Sequence, residues 1–527
     1  MNEQTFYFFS WQDINFLKSE LLLVVAWLAA FCGLLLPKKT SSFFVPFICI
    51  LVLLGNIGLL IFSLDEIKQL TNTTTFFWND LLYQNRFTHY LKILTSVSAL
   101  FSIWIQYSYN KSNQNTISEW FVILLGGVLS TQFLLISANF FGIYVSLEML
   151  SICGYLLVAF YDKNLINDKS NFKKGKLIAS SFNYLVFGAV SSASLLYGFS
   201  WWYSLNGSFS IPIIFHASFN ISDIFLHVSS TESNQITFLI GFLLIGIGFL
   251  FKLAAVPLHF WISEIYKNAS SGTIFFLATI PKIAVSGVLF FILNYLISIP
   301  SNLQEIIFSS LSVLGVLSAI FGGFLAIQQT NFKRFFAYSG VSQMGFLILL
   351  LVYNFKYPVI STNGILIFWI FYVLSNVIVW KFCAELEGNN IDLSIRNLKN
   401  LPFLPKIVIS IASLSLAGFP PLGGFLVKMI VLFVVFQNYQ TQSLIHSENS
   451  IYLFSLIGIG IATLIGFFYY LKIPYYLFLK SFVETPKMAV SEVKENTSYK
   501  FSNLTLFYSI LLIIINVVLA IYAIRFL

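Results

Sequence analysis

Glu148, Lys252, Lys282 and Lys428 stand deep inside apolar runs, with hydrophobic residues on both sides of each. A charge at the centre of a bilayer costs at least about 2.5–3.5 kcal/mol on insertion scales, and such residues mark ion pathways and proton relays. Three amines and one carboxylate suit proton exchange better than recognition of a bulky solute. In GFLFKLAAVPLHFW, Pro257 has no backbone N–H and leaves the Leu253 carbonyl without its helical donor. Lipid cannot satisfy that carbonyl, so a local break there would admit water beside Lys252. Apolar surroundings favour a neutral amine and a nearby carboxylate favours an ammonium, so switching between them would load and release a proton. His259 follows Lys252 by seven residues, which would put both on one face of a continuous helix. It is a further relay candidate; the rival reading is a hydrogen-bonded residue of the break.

Around Glu148, Tyr144, Ser151 and Tyr155 fall at i−4, i+3 and i+7 and would line the same helix face. The alternative for Glu148 is an ion pair that only fixes helix packing. Lys282 directly follows Pro281, which frees the Leu277 carbonyl and gives a wettable kink, with Ser286 one turn on. Lys428 follows Pro420–Pro421 and Gly423–Gly424, which break the ladder and leave room for water or a neighbouring backbone. Snorkelling is the alternative for Lys252 and, nearer the start of its run, for Lys282. Lys381, at the end of its run beside Glu385 and Glu387, reads as a snorkelling lysine. His89, His216, His227 and His446 fall in or near predicted loops and lack metal-ligand spacing.

Elements that could position these groups follow from composition. The 527 residues are 58% hydrophobic and 9% charged, with a mean hydropathy of +0.84. A soluble domain carries roughly 25% charged residues, so this chain reads as an integral membrane protein. Runs of about 20 apolar residues mean helices rather than a barrel. The net charge of +8 resides in short loops and does not suggest nucleic acid. Cys32, Cys49, Cys153 and Cys383 are scattered without a C-x-x-C pair, so they read as small hydrophobes rather than ligands to zinc or iron–sulfur. The N-terminus has neither a basic n-region nor an Arg-rich amphipathic pattern, which predicts synthesis in the compartment whose membrane the chain enters. Heavy use of Phe, Ile, Asn and Lys fits an AT-rich, organellar genome, a bias some bacteria share.

Hydropathy predicts fourteen spans at 15–36, 43–63, 91–109, 118–136, 138–161, 177–205, 236–265, 274–298, 304–327, 336–353, 361–383, 404–437, 451–478 and 502–525. The spans at 236–265 and 404–437 are too long for one straight helix and contain proline, so both are expected to be broken. Lys and Arg concentrate after odd-numbered spans, while the loops 206–235, 299–303 and 438–450 have none. The positive-inside rule then puts the odd loops on the cytoplasmic or matrix side and both termini outside. Spans four to eight and nine to thirteen form two five-helix blocks, and an odd count inverts the second. The fourth helix of each block is long, proline-containing and lysine-bearing, as in transporters built from inverted repeats. The expected fold is an all-α polytopic membrane protein of about fourteen transmembrane helices with two inverted five-helix repeats. Its expected divisions are residues 1–117, 118–298, 299–478 and 479–527. No G-x-G-x-x-G follows a strand and no P-loop is present, so no nucleotide site is expected.

FKLAAVPLHFW, ATIPKIAVSG, NFKRFFAYSGVSQMG and SLAGFPPLGGFLVK together resemble the antiporter-like subunits of respiratory complex I. Within them the likeness is to the NADH dehydrogenase subunit 2 family, whose bacterial counterpart is subunit N. It covers most of the chain, least before about residue 75 and in 206–235; FFWNDLLYQNRFTHY, FFYYLKIP and VETP look like the mitochondrial forms. The resemblance implies a proton-translocating subunit in which Glu148 matches the family's glutamate on the fifth helix. Lys252 matches the lysine of the broken seventh, Lys282 that of the eighth and Lys428 the ionisable residue of the broken twelfth. It implies other membrane-arm subunits as partners, with cardiolipin among the lipids. This chain would hold no cofactor, while the whole complex would use NADH, FMN, iron–sulfur clusters and ubiquinone. The implied location is the mitochondrial inner membrane, termini toward the intermembrane space; bacterial plasma membrane and plastid are alternatives. The family's W-x-P-D-x-Y-E-G loop is replaced here by WISEIYKNASSGT, which departs at Ser263, Glu264, Lys267 and Asn268. Two rival functions share the buried charges: a subunit of a multi-subunit cation/proton antiporter, and a membrane scaffold with structural ion pairs.

Overall fold

The computed structural model describes residues 16–69, 75–78, 81–110, 118–160, 169–211, 232–296, 299, 301–355, 358–388, 393–395, 398, 401–442, 449–479 and 503–524. Among the described residues the chain is all-α apart from one small hairpin. Its helices are α1 (Lys18–Gly33), α2 (Lys38–Gln69), α3 (Arg86–Asn110), α4 (Ser118–Ile136), α5 (Phe140–Ala159), α6 (Lys169–Asn206), α7 (Glu232–Leu253) and α8 (Ile262–Asn268). They continue with α9 (Ser271–Tyr295), α10 (Ser301–Gln328), α11 (Phe332–Val352), α12 (Pro358–Gly388), α13 (Phe403–Ala417), α14 (Gly423–Gln442), α15 (Asn449–Pro474) and α16 (Asn503–Ile524). Every predicted span coincides with one helix or, at 236–265 and 404–437, with two, and among the described residues eleven helices are long and apolar enough to cross a membrane. The basic stretches at 161–168 and 480–502, and His216, His227 and His446, lie outside the described residues.

Two compact units divide the chain. One comprises Met1–Ile103, Asn115–Trp261 and Phe276–Ser310; the other comprises Trp104–Gln114, Ile262–Phe275 and Leu311–Leu527. In the first, α6 packs most closely on α7. A Cβ at Gly198 would meet the Gly241 carbonyl at 2.8 Å, so the glycine lets the two backbones touch. Ser191 Oγ and Ser194 Oγ then donate across to the carbonyls of Gly248 and Leu244. Close approach through small residues, with hydroxyls bonding across, is how helices associate where no water drives them together. In the second unit α12 and α13 pack on one another, and α13 and α14 both pack on α15.

Both long spans are broken where proline predicted, and the two breaks share one geometry. At the end of α7, Ala255 N–H donates to the Leu250 carbonyl at 2.9 Å; at the end of α13, Phe419 N–H donates to the Leu414 carbonyl at 3.1 Å. These are the long hydrogen bonds of a Schellman ending, which needs a left-handed residue. That residue is Ala254 (φ 58°) in one and Gly418 (φ 85°) in the other. Pro257 and Pro421 stand three residues further on, each after a cis peptide bond.

A second pair of matched features lies elsewhere. Asn139 caps α5 by accepting from Phe141 N–H at 2.8 Å, and Asn331 caps α11 by accepting from Arg334 N–H at 3.2 Å. Each asparagine also forms an isolated antiparallel bridge, Asn139 to Ser210 and Asn331 to Ser394.

The hairpin of β1 (Thr75–Phe77) and β2 (Leu82–Gln84) is absent from the sequence expectation. Its strands have three residues each, too short for alternation to register. Phe77 and Leu82 pack with Leu17 and Ile136, which ties the hairpin to the first unit's helices.

Candidate functional site

Lys252 stands in the last turn of α7. Its Nζ donates to Ser151 Oγ of α5 at 2.5 Å. Ser151 lies three residues after Glu148, one turn along the same helix, and is anchored in turn to the Leu147 carbonyl. The amine is therefore held one turn from the carboxylate, through a hydroxyl and without a direct ion pair. Glu148 Oε1 is buried and has no hydrogen-bond partner. An aromatic wall surrounds the amine: its Nζ lies 6.0 Å from the Tyr155 ring centroid and 5.9 Å from that of Phe251. Tyr184 stacks on Trp261 with centroids 4.6 Å apart and meets Tyr155 edge-on at 4.7 Å. Of the expected face of Tyr144, Glu148, Ser151 and Tyr155, Ser151 and Tyr155 meet the Lys252 amine.

The break changes the geometry expected of His259. Because α7 stops at Leu253, the i+7 helical alignment with Lys252 does not exist. His259 lies half-buried in the turn between α7 and α8, with its ring at the Pro257 carbonyl. Lys282 is 1% exposed in α9, and its Nζ has no hydrogen-bond partner. The helix runs on through Pro281, and Ser286 Oγ turns back to the Ile283 carbonyl instead of reaching the lysine.

Lys428, in the second unit, is 6% exposed. It reaches back from α14 across the break, and its Nζ donates to the carbonyl of Ala417, the last residue of α13, at 2.5 Å. The ring of Phe346 lies 5.3 Å away, and a Cβ at Gly466 would stand 3.1 Å from the amine. Glycines at 418 and 466 thus leave the space the long side chain occupies, a Cβ at Gly418 standing 2.8 Å from Lys428 Cδ.

Two lysines depart from their expected surroundings. Lys381 does not snorkel: it is 2% exposed, bonded to Ser108 Oγ, with its Nζ 4.0 Å from the Trp104 ring centroid. Lys333, expected in a basic loop, is 2% exposed in the first turn of α11. It pairs with Glu387, donates to the Ala269 carbonyl at 2.6 Å, and Ser271 Oγ completes the carboxylate at 2.5 Å. His89, expected near a loop, is buried in α3. Sequence reading passed over Glu20 and Lys92, which form a fully buried ion pair at 2.5 Å. Among the described residues no cluster of His, Cys, Asp or Glu could hold a metal ion. Cys49, Cys153 and Cys383 are buried and Cys32 is exposed, all as free thiols.

Curated relatives are similar to this chain in sequence over most of its length. The chain is 26% identical over 460 residues to the chloroplastic NAD(P)H-quinone oxidoreductase subunit 2 of Mesostigma viride, covering 86% of this chain and 82% of that one. It is 28% identical over 415 residues to NADH-quinone oxidoreductase subunit N of Buchnera aphidicola, covering 76% and 77%. The fold is similar to that of a chain in respiratory complex I from Thermus thermophilus, at a TM-score of 0.69 and 19% identity over 95% of this chain and 96% of that one. Residues 137–453, which hold Glu148, Lys252, Lys282 and Lys428, match the model of one family over more than half the sequence: the chain belongs to the NADH:quinone oxidoreductase/Mrp antiporter transmembrane family.

Proposed function

We propose that this chain is a proton-translocating membrane-arm subunit of NADH:quinone oxidoreductase, of the subunit 2 or subunit N type, driven by redox chemistry in other subunits. The observation that carries the reading is the bond from Lys252 Nζ to Ser151 Oγ, one turn from Glu148. It holds an amine at a helix break one turn from a carboxylate, on a hydroxyl oxygen that accepts from the amine while its own proton goes to the Leu147 carbonyl. In this reading Glu148 sets how readily Lys252 holds its proton. Lys282 takes the proton onward within the first unit, and water reaching the Pro281 turn supplies the acceptor its amine lacks. Lys428 carries the same function in the second unit, and His259 relays between solvent and the α7 break. The matched breaks and the matched asparagine bridges support two inverted repeats. Names of the relatives favour an oxidoreductase subunit over a cation/proton antiporter subunit. The mitochondrial look of the flanking segments supports the mitochondrial inner membrane, with termini on its outer side.

Lys252→Ala and Glu148→Ala are the direct test, made in vesicles bearing the assembled complex. Each is expected to impair NADH-driven proton uptake while assembly is retained. Full turnover with full proton uptake in both variants would overturn the relay.

A further inference from the structure

Helices α1 to α4 enclose a polar cluster that none of the relay residues touch. Glu20 sits in the first turn of α1 and Asn56 just past the middle of α2; Lys92 and Ser96 lie in the first half of α3 and Gln132 late in α4. Alternating helices place all five toward the same end of this bundle. Lys92 Nζ meets Glu20 Oε1 at 2.5 Å, and both side chains are almost wholly buried, at 0% and 1% exposure. Ser19 Oγ donates to the other carboxylate oxygen at 2.7 Å. Gln132 Nε2 donates to the Lys92 carbonyl and to Ser96 Oγ, each at 3.1 Å, and Ser96 Oγ donates to Asn56 Oδ1 at 3.0 Å. One turn before Lys92, His89 presents Nε2 to the Leu60 carbonyl at 2.7 Å and Nδ1 to Gln84 Nε2 of the hairpin at 3.0 Å. That pattern fits the neutral ring with its proton on Nε2. The hairpin's apolar contact with Leu17 and Ile136 covers this end of the bundle.

We propose that Glu20 and Lys92 form a second proton-exchange site, a reading that rests on the proton-translocating function above. Stability alone is a poor reason for this pair, because a buried ion pair is often no better than an apolar pair of the same volume. Nor is the cluster closed upon itself. An ammonium has three hydrogens, and Lys92 Nζ meets one acceptor, Glu20. Gln132 Oε1 is buried with no partner. Buried groups of this kind are completed by water, the medium through which a proton would travel. The step is simple: the Lys92 ammonium releases a proton to water, an N–H bond breaking as an O–H bond forms, and the pair passes from neutral to the single negative charge of Glu20. A proton arriving from water on the Lys92 amine restores the ion pair. The route in leads past His89 and Gln84 at the hairpin.

Lys92→Arg separates exchange from glue, since a guanidinium keeps the charge and the ion pair but does not release its proton. Assembly should match the unmodified complex, and so should electron transfer to an artificial acceptor that bypasses quinone. NADH-driven proton uptake should fall about tenfold or more, as when a proton-transfer group is removed. Unchanged proton uptake in an assembled Lys92→Arg complex overturns the proposal. Lys252→Arg run in parallel keeps the two readings apart. Normal uptake there refutes the relay itself, whereas loss there with normal uptake in Lys92→Arg refutes only the second site. Should Lys92→Arg not assemble, the neutral double variant Glu20→Gln/Lys92→Gln takes its place. Assembly with impaired uptake then supports exchange; normal uptake, or failure to assemble again, makes the pair structural and overturns it.

Discussion

At Lys252 a single hydroxyl stands between an amine and the turn that holds a carboxylate. A hydrogen bond to a charged group is worth about 1.5–3 kcal/mol, so Ser151→Ala should slow NADH-driven proton uptake by about tenfold. Ser151→Thr, which keeps the hydroxyl, should retain most of it; rates in vesicles decide. Lys333 offers a stability test in the second unit, because it neutralises Glu387. Breaking a buried pair from one side costs about 3–5 kcal/mol. Lys333→Met should therefore lower the thermal midpoint of the purified assembly, and adding Glu387→Leu should recover much of it. These residues were unequally legible in the sequence. Glu148 and Lys252 stood out because each interrupts an apolar run at mid-length. Glu20, Lys92, Lys333 and Lys381 fall near run ends, where a buried charge and a solvated flank look alike. Only packing by other helices distinguishes them.

Among the elements, the two breaks were legible from Pro257 and Pro420–Pro421, because proline's missing donor is a local property. Their Schellman endings were not, since nothing in Leu-Ala-Ala announces that Ala254 takes the left-handed conformation that Gly418 takes with less strain. An L-residue there costs roughly 1–2 kcal/mol. Ala254→Gly should therefore stabilise the chain by about 1 kcal/mol or slightly less, and Ala254→Val, β-branched at positive φ, should destabilise it more strongly. Thermal unfolding in detergent measures both. The hairpin went unread for a different reason. Its strands are held by contacts with residues such as Leu17 and Ile136, distant in sequence, and no periodicity encodes those.

For the whole molecule, the asparagine caps link distant stretches of sequence. Asn139 and Asn331 each start a helix and each bridge to a serine beyond the next helix, through Phe140 N–H to the Phe209 carbonyl and Phe332 N–H to the Leu393 carbonyl. Nine residues after the first stands Glu148, and nine after the second stands Gly340, so two frames with the same cap and bridge carry different side chains. Losing such a cap costs about 1 kcal/mol, and Asn139→Ala and Asn331→Ala should lower the thermal midpoint by similar amounts if the frames are equivalent. The helix breaks have one more consequence. Lys252 stands in the last turn of the helix before its break, and Lys428 reaches back to the last carbonyl of the helix before the other. A helix C-terminus carries roughly half a negative charge that no side-chain change removes. Lys428→Met should leave that electronegative mouth bare within the apolar layer. Residual turnover of the variant should then depend on whether sodium or potassium is present, which turnover of the unmodified complex should not. A backbone arranged to hold a lysine amine would thus hold, once the amine is gone, the rudiments of an alkali-metal site.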